Sequence, residues 1–432
     1  MTRKSAQAQA RKSISKQAAA AALRTRIQQA QSFHASGARV LARLIYEEVL
    51  AEQPAHAAAL QGLGILSGQD GDLQRGIELL DRAIRLEPDN PVFHANRALF
   101  AKDLLRLPEA QAGLDRALAL KPDYALAQYN QAMLLLLTGQ FQPGWSLYES
   151  RFRSTRTPRI LSRPRWSGDE PLQGRTLLLH AEQGLGDTIQ FCRYARLAQQ
   201  RGARVLVEAP LPLVGLLQTL EGVTSIHAEG SSLPDFDLHC PMMSLPLAFG
   251  TGATTIPAPA AYLQADPEMQ ARWAARLGPR TRPRIGLAWS GSAQNPNDTR
   301  RSIALAQWLP SLRPDIDCIS LHKDLRPADA EALRAHGGIR HFGEAQTDFT
   351  DAAALAAEMD LVVSVDTSLA HLAAAMGRPT WVLLPHMPDW RWQLARVDSP
   401  WYPSARLYRQ ASPGDWAGVL AAVRHDLGQL LG

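Results

Sequence analysis

The sequence predicts an α + α/β chain, with an N-terminal all-α solenoid followed by a module of two parallel-sheet lobes. Three observations predict it. Prolines recur at one interval through the first third of the chain. From residue 174 onward, short apolar runs alternate with helical patterns. Between these regions, Arg153 to Asp169 is dominated by Arg, Pro and Ser.

Pro54, Pro88 and Pro122 are spaced 34 residues apart, which is the tetratricopeptide period. Further positions keep the same register: small residues at Ala42, Gly76 and Ala110, bulky ones at Tyr46, Leu80 and Leu114, and Val49, Ala83 and Ala117 between these and the prolines. In each unit, small residues let two antiparallel helices approach, large ones fill the gap, and the proline stops the second helix. Leu60, Leu63 and Gly64 supply first-helix positions, and Ala132, Gly139, Gly144 and Tyr148 continue the register without a terminal proline. The expectation is about four repeats over residues 21–155, forming a groove for a peptide or protein segment, or a helical array with no such ligand.

The chain is 432 residues long, enough for several cores. Cys192, Cys240 and Cys318 lie far apart, which excludes a disulfide framework and a cysteine zinc site and suits a reducing cytoplasm. No apolar run approaches the ~20 residues that span a bilayer. The net charge of +5 is uneven, because residues 1–46 hold nine Arg and Lys and no acid, leaving −4 for the rest. A broad basic field for nucleic acid is therefore not expected. Residues 1–20 read as a basic, partly disordered tail, either a solvated arm or a contact for an anionic partner.

After a linker at 156–171, strands are predicted at Leu177 to His180, Val205 to Glu208, Ile285 to Trp289, Cys318 to Leu321, Leu361 to Val365 and Trp381 to Leu384. The Pro-bounded helical segment Ala261 to Pro283 separates two strand series, giving lobes at 172–265 and 266–432. In open parallel sheets ligands bind beyond the carboxyl ends of the strands, so the residues after each strand are the candidates. The first strand is followed by Glu182, Gln183, Gly184, Gly186 and Asp187, a glycine-rich turn with two carboxylates. Asp187 serves there either as a functional acid or as a helix N-cap. Ser290, Asn297, Arg300 and Arg301 form a polar loop ending in paired guanidinium groups, which suit phosphate. Asp366, Thr367, Ser368 and His371 open an alanine-rich helix. Ser368 is expected to cap it, and its N-terminus offers N–H groups to an anion. Trp390 and Arg391 are placed either to stack on a base or sugar or to pack in a core.

These residues carry a resemblance. Glu182-Gln183-Gly184-Leu185-Gly186-Asp187, Asp366-Thr367-Ser368-Leu369-Ala370-His371 and Asp389-Trp390-Arg391-Trp392 make the sequence similar to bacterial proteins that join tetratricopeptide repeats to a glycosyltransferase of the GT-B fold. The second half resembles the heptosyltransferase family and, more distantly, the O-GlcNAc transferases. The resemblance implies two Rossmann-like lobes, an acceptor-side first lobe and a donor-side second lobe. It implies Asp187 as general base and the Asp366 to His371 segment as the holder of the donor pyrophosphate; Glu182, the turn's other carboxylate, is the alternative base. Ser368 stands where heptosyltransferases have glycine. Ser290-Gly291-Ser292 stands where they have a phosphate-binding lysine, so Arg300 or Arg301 is assigned that charge.

The resulting expectation is a cytoplasmic, metal-independent glycosyltransferase with no cofactor beyond a nucleotide-sugar donor. Its acceptor is a protein held by the repeats, flagellin being the example the resemblance implies. A non-catalytic repeat scaffold with a degenerate module and a lipopolysaccharide heptosyltransferase-like enzyme are the alternatives.

Overall fold

The computed structural model describes residues 3–295 and 297–431, with the side chains of residues 3–16 and 431 excepted. The chain folds as two compact units, one of Met1–Leu134 with Ser150–Thr157 and one of Leu135–Glu149 with Pro158–Gly432.

The first unit is a stack of helices: α1 (Arg3–Ala35), α2 (Arg39–Glu52), α3 (Ala57–Gln69), α4 (Leu73–Leu86), α5 (Pro91–Asp103), α6 (Leu107–Leu120) and most of α7 (Ala125–Leu137). The starts of α2, α4 and α6, and those of α3, α5 and α7, each fall 34 residues apart. The prolines act through the residue before them, because proline excludes the α conformation from its predecessor. Gln53, Glu87 and Lys121 are accordingly pulled to φ −135°, −134° and −142°. Each closes its helix by donating its N–H to the carbonyl of Val49, Ala83 or Ala117. All nine register positions from Ala42 to Ala117 are buried. Gly76 marks one close approach, where an added Cβ would stand 3.0 Å from the Gly64 carbonyl oxygen and 2.7 Å from the Phe100 ring. Helix α1 begins at Arg3, within the stretch expected to be a basic, partly disordered tail. The side chains of the basic residues at 3, 4, 11, 12 and 16 lie outside the described residues.

The second unit holds two all-parallel sheets. One has the order β3-β2-β1-β4, built from β1 (Thr176–His180), β2 (Arg204–Ala209), β3 (Ser225–Ala228) and β4 (Leu238–Pro241). The other has the order β10-β9-β8-β5-β6-β7, from β5 (Arg284–Ala288), β6 (Asp317–Ser320), β7 (Ile339–His341), β8 (Leu361–Val365), β9 (Thr380–Leu384) and β10 (Ala405–Arg409). Strands β1, β5, β8 and β9 are buried at every position, as expected for parallel strands covered on both faces. The helix Pro267–Leu277, capped by Asp266, packs Trp273 and Leu277 against Ile319, Leu321, Leu355 and Met359 of the second lobe.

The linker differs from its expected form. Trp166 donates its N–H to the His239 carbonyl, and His239 donates to that of Pro164. The segment thus docks beside β4, and the Trp166 ring is fully buried. Helix α8 (Phe141–Tyr148) also belongs to this second unit, although its register is that of a repeat. Its Phe141, Trp145 and Tyr148 form an aromatic cluster, and Trp145 continues it edge-on to Trp390 at 5.2 Å. The chain therefore leaves the first unit after Leu134, returns to it for Ser150–Thr157 and enters the second for good at Pro158. The reason is that α8 carries large aromatics suited to a lobe surface.

Candidate functional site

The carboxyl ends of β1, β8 and β9 face one another through the segments that follow them. After β1 the loop from Ala181 leads into the helix Leu185–Phe191, with Gly184 as N-cap. Asp187 is thus not the N-cap itself. It stands at the third helical position and reaches back, its Oδ2 accepting the Gly184 N–H at 2.8 Å. After β8, Thr367 rather than Ser368 caps the helix Ser368–Ala375, its hydroxyl accepting the Leu369 N–H at 3.3 Å. Ser368 is the first helical residue, which leaves the start of the helix as polar as expected. After β9, Asp389 caps a single turn, Trp390–Trp392.

The two helix starts meet. A Cβ on Gly186 would lie 2.9 Å from His371 Cδ2 and 3.5 Å from Ser368 Cα, so this glycine serves a close approach between lobes. Arg391 crosses the same junction. Its guanidinium donates to Asp187 Oδ1, to Asp389 Oδ1 at 2.9 Å and to Gln190 Oε1 at 2.5 Å. It also lies over the Trp390 ring at 4.3 Å. Burial opposes its charge, but Asp389 and Asp187 outweigh that, and its pKa is raised. Asp187 therefore has both carboxylate oxygens occupied, one by a backbone N–H and one by a buried cation.

His371 is buried, its Nδ1 2.8 Å from the Tyr402 hydroxyl and its ring stacked on Trp392 at 5.4 Å. Burial, with Arg391, Arg193 and Arg301 nearby, pushes its pKa well below that of a free imidazole, so it is neutral at physiological pH. Its Nε2 is 3.9 Å from Asp366 Oδ1. Burial and the charge of Asp389 push the Asp366 carboxyl up to about 6.

The loop after β5 divides. Arg301 turns inward, donating to the Asp366 carbonyl oxygen at 2.6 Å and covering Gly291. Arg300 and Asn297 are exposed, and Ser290 is half-buried at the loop's start. Asp298, buried, is held by Arg326 and Ser302 at 2.5 and 2.8 Å and fixes the loop. On the other side Glu182 and Gln183 are half-buried, and Gln183 Nε2 donates to the Tyr148 hydroxyl at 2.9 Å.

Sequence reasoning thus brings Asp187, Arg301, Asp366, Thr367, Ser368, His371 and Arg391 to one junction, and leaves Asn297 and Arg300 on its rim. The stacking expectation for Trp390 is corrected. Its ring is 2% exposed and packs among Trp145, Phe191 and Trp401, so it has no face to offer a ligand. Missed as site residues were Gln190, Arg193 and Tyr148. Gln190 was findable, since it lies three residues after Asp187 on the same helix face. Arg193 carried no such signal. It is 3% exposed, donates to the carbonyls of Gln190, Pro257 and Trp401, and lies over the rings of Tyr262 and Tyr402.

Residues 344–406, which include the Asp366 to His371 segment and the Trp390–Trp392 turn, match the profile of glycosyltransferase family 9 (heptosyltransferase). Protein FlbA of Caulobacter vibrioides is 27% identical over 415 residues, covering 88% of this chain and 68% of that protein. Among solved structures, a Thermobaculum terrenum O-GlcNAc transferase variant is similar over 95% of this chain and 93% of its own, at 15% identity and a TM-score of 0.36. The E. coli ADP-heptose lipopolysaccharide heptosyltransferase II is similar over 59% of this chain and 98% of its own, at 18% identity and a TM-score of 0.45.

Proposed function

We propose that the chain is a glycosyltransferase that moves a sugar from a nucleotide-sugar donor to a hydroxyl on a protein held by the repeats. The observation that carries this reading is the junction itself. Asp187 of the first lobe reaches Arg391 of the second, beside a helix start that suits an anion. The family 9 match over that same segment supports it.

In this reading the donor phosphates lie at the start of the helix Ser368–Ala375. Backbone N–H groups, Thr367 and Arg301 meet the charge that develops on the leaving oxygen. Arg391 holds Asp187 until donor phosphate competes for the guanidinium. Asp187 then takes the proton of the acceptor hydroxyl while that oxygen attacks the anomeric carbon and the bond to phosphate breaks. Neutral His371 contributes a hydrogen bond and no charge. The proposal includes metal independence, because arginine and helix N–H groups carry the counter-charge. Among the described residues no group of three or more His, Cys, Asp or Glu side chains is placed to hold a metal. No helix among them is long and apolar enough to cross a membrane.

The test is a panel of nucleotide sugars, read by thermal shift and by transfer to protein, with flagellin among the acceptors. Asp187→Asn is expected to lower turnover about a hundredfold, the usual scale for a general base, while leaving protection by the donor intact. Full turnover in that variant would move the base elsewhere, and loss of all activity after chelation would contradict the metal-free reading.

A further inference from the structure

Helix α8 has a repeat's register but not a repeat's neighbour. Tyr148 lies three 34-residue periods after Tyr46. In the first unit the Tyr46 ring fills the space over Gly62 of the next repeat helix, and Leu80 and Leu114 hold the same position in the following two. Past α8 the array does not continue, and the Tyr148 hydroxyl instead accepts the hydrogen bond from Gln183 at 2.9 Å. Tyr148 is 2% exposed, so this hydrogen bond is made away from solvent.

The partner is well placed. Gln183 immediately precedes Gly184, whose N–H is held by Asp187 Oδ2. One turn earlier on α8, Trp145 donates its indole N–H to the Thr251 carbonyl at 3.0 Å and supports Trp390, the platform under Arg391. A single short helix therefore touches the loop that carries Asp187 and the turn that carries its counter-ion.

We infer that Tyr148 is a positioning residue for the Gln183 to Asp187 loop, so that the final helix of the repeat period sets the acceptor side of the site. The consequence for the acceptor rests on the transferase reading above, whereas the holding of the loop does not. A chain whose repeats bind the acceptor thus has a route along α7 and α8, completed by the Tyr148–Gln183 hydrogen bond, to the loop bearing its base.

The test is Tyr148→Phe, which keeps the ring and removes only the hydroxyl. By hydrogen exchange, the peptide spanning residues 183–188 is expected to exchange about fivefold faster, the scale of one net hydrogen bond. Peptides from β5 and β8 should be unchanged. Gln183→Leu should give the same change, and the two together no more than either alone. In transfer assays kcat/KM for the acceptor should fall by about the same factor while the KM for donor stays constant. Unchanged exchange at 183–188 overturns the inference. Faster exchange in a protein that transfers no sugar from any donor in the panel supports the positioning role and counts against the transferase reading.

Discussion

At the scale of single residues, the turn between the helices of each repeat is the clearest case of sequence working against conformation. Gly37, Gly71 and Gly139 take φ of 82°, 96° and 79°, and Leu105, at the same place in the period, takes 57°. Its N–H bonds the Lys102 carbonyl as Gly71 bonds that of Gly68, so the turn is the same and only the residue is strained. A left-handed conformation costs an L-residue roughly 1–2 kcal/mol, and glycine returns part of that gain through its looser unfolded state. Leu105→Gly is therefore expected to stabilise the first unit by about 0.5–1 kcal/mol in urea unfolding. Leu105→Val should destabilise it, since a branched Cβ tolerates this region least. Equal midpoints for glycine and valine would show that the turn holds no strain. The same scale explains which site residues were legible. Asp187, Arg301 and His371 follow strands in polar, glycine- or hydroxyl-rich turns. Tyr148 and Arg193 lie inside apolar helical patterns, and their roles depend on which lobe comes to face them.

At the scale of elements, periodicity in the sequence located the repeat helices because 34-residue spacing fixes them independently of any partner. Six of the ten strands were equally legible, as buried parallel strands read as continuous apolar runs. The other four were not. Strand β3 is half-buried at each position, β4 ends in proline, β7 has three residues, and β10 is interrupted by Arg406 and Arg409. Edge strands and short strands lack the apolar run that marks the central ones. Helix α8 keeps the repeat register yet packs in the second unit, since register specifies a helix and not what covers it. This alters where the chain can be cut. A fragment beginning at Ser167 loses Phe141, Trp145 and Tyr148 from around Trp390 and Trp401. Removing a buried tryptophan alone costs roughly 3–5 kcal/mol. A fragment beginning at Ala125 is expected to unfold cooperatively, whereas one beginning at Ser167 should melt at markedly lower temperature or fail to fold. Equal melting of the two fragments would remove α8 from the second unit.

At the scale of the whole molecule, the two units differ in what they bury, and pH separates them. All ten tryptophans lie in the second unit, so tryptophan fluorescence follows its unfolding alone. That unit also buries His180, His239, His322 and His371, and burial lowers the pKa of all four. Burial, with His239, Arg159 and Arg165 nearby, holds His180 at about 3. Burial, with His341 and Arg326, holds His322 at about 3, and His371 is depressed as described. In the unfolded chain each titrates near 6.5. Between that value and 3 the unfolded chain binds protons that the folded chain refuses, so stability falls as pH falls. Asp366 acts in the opposite sense. Its folded pKa of about 6 lies above the unfolded value, so acidification through 6 relieves a cost that is present at neutral pH. The depressed histidines outweigh the one raised carboxyl, and each of the two held near 3 corresponds to on the order of 5 kcal/mol at the acid limit. The urea midpoint read by fluorescence is therefore expected to drop steadily from pH 7 to pH 5. His322 supplies the cleanest check, because its Nε2 only accepts the Trp289 N–H at 3.0 Å and it touches none of the candidate site. His322→Gln keeps an acceptor there and removes the proton site, so its midpoint should fall less steeply over that range. An identical slope in the variant and the parent would mean that the acid sensitivity arises from groups other than the buried histidines.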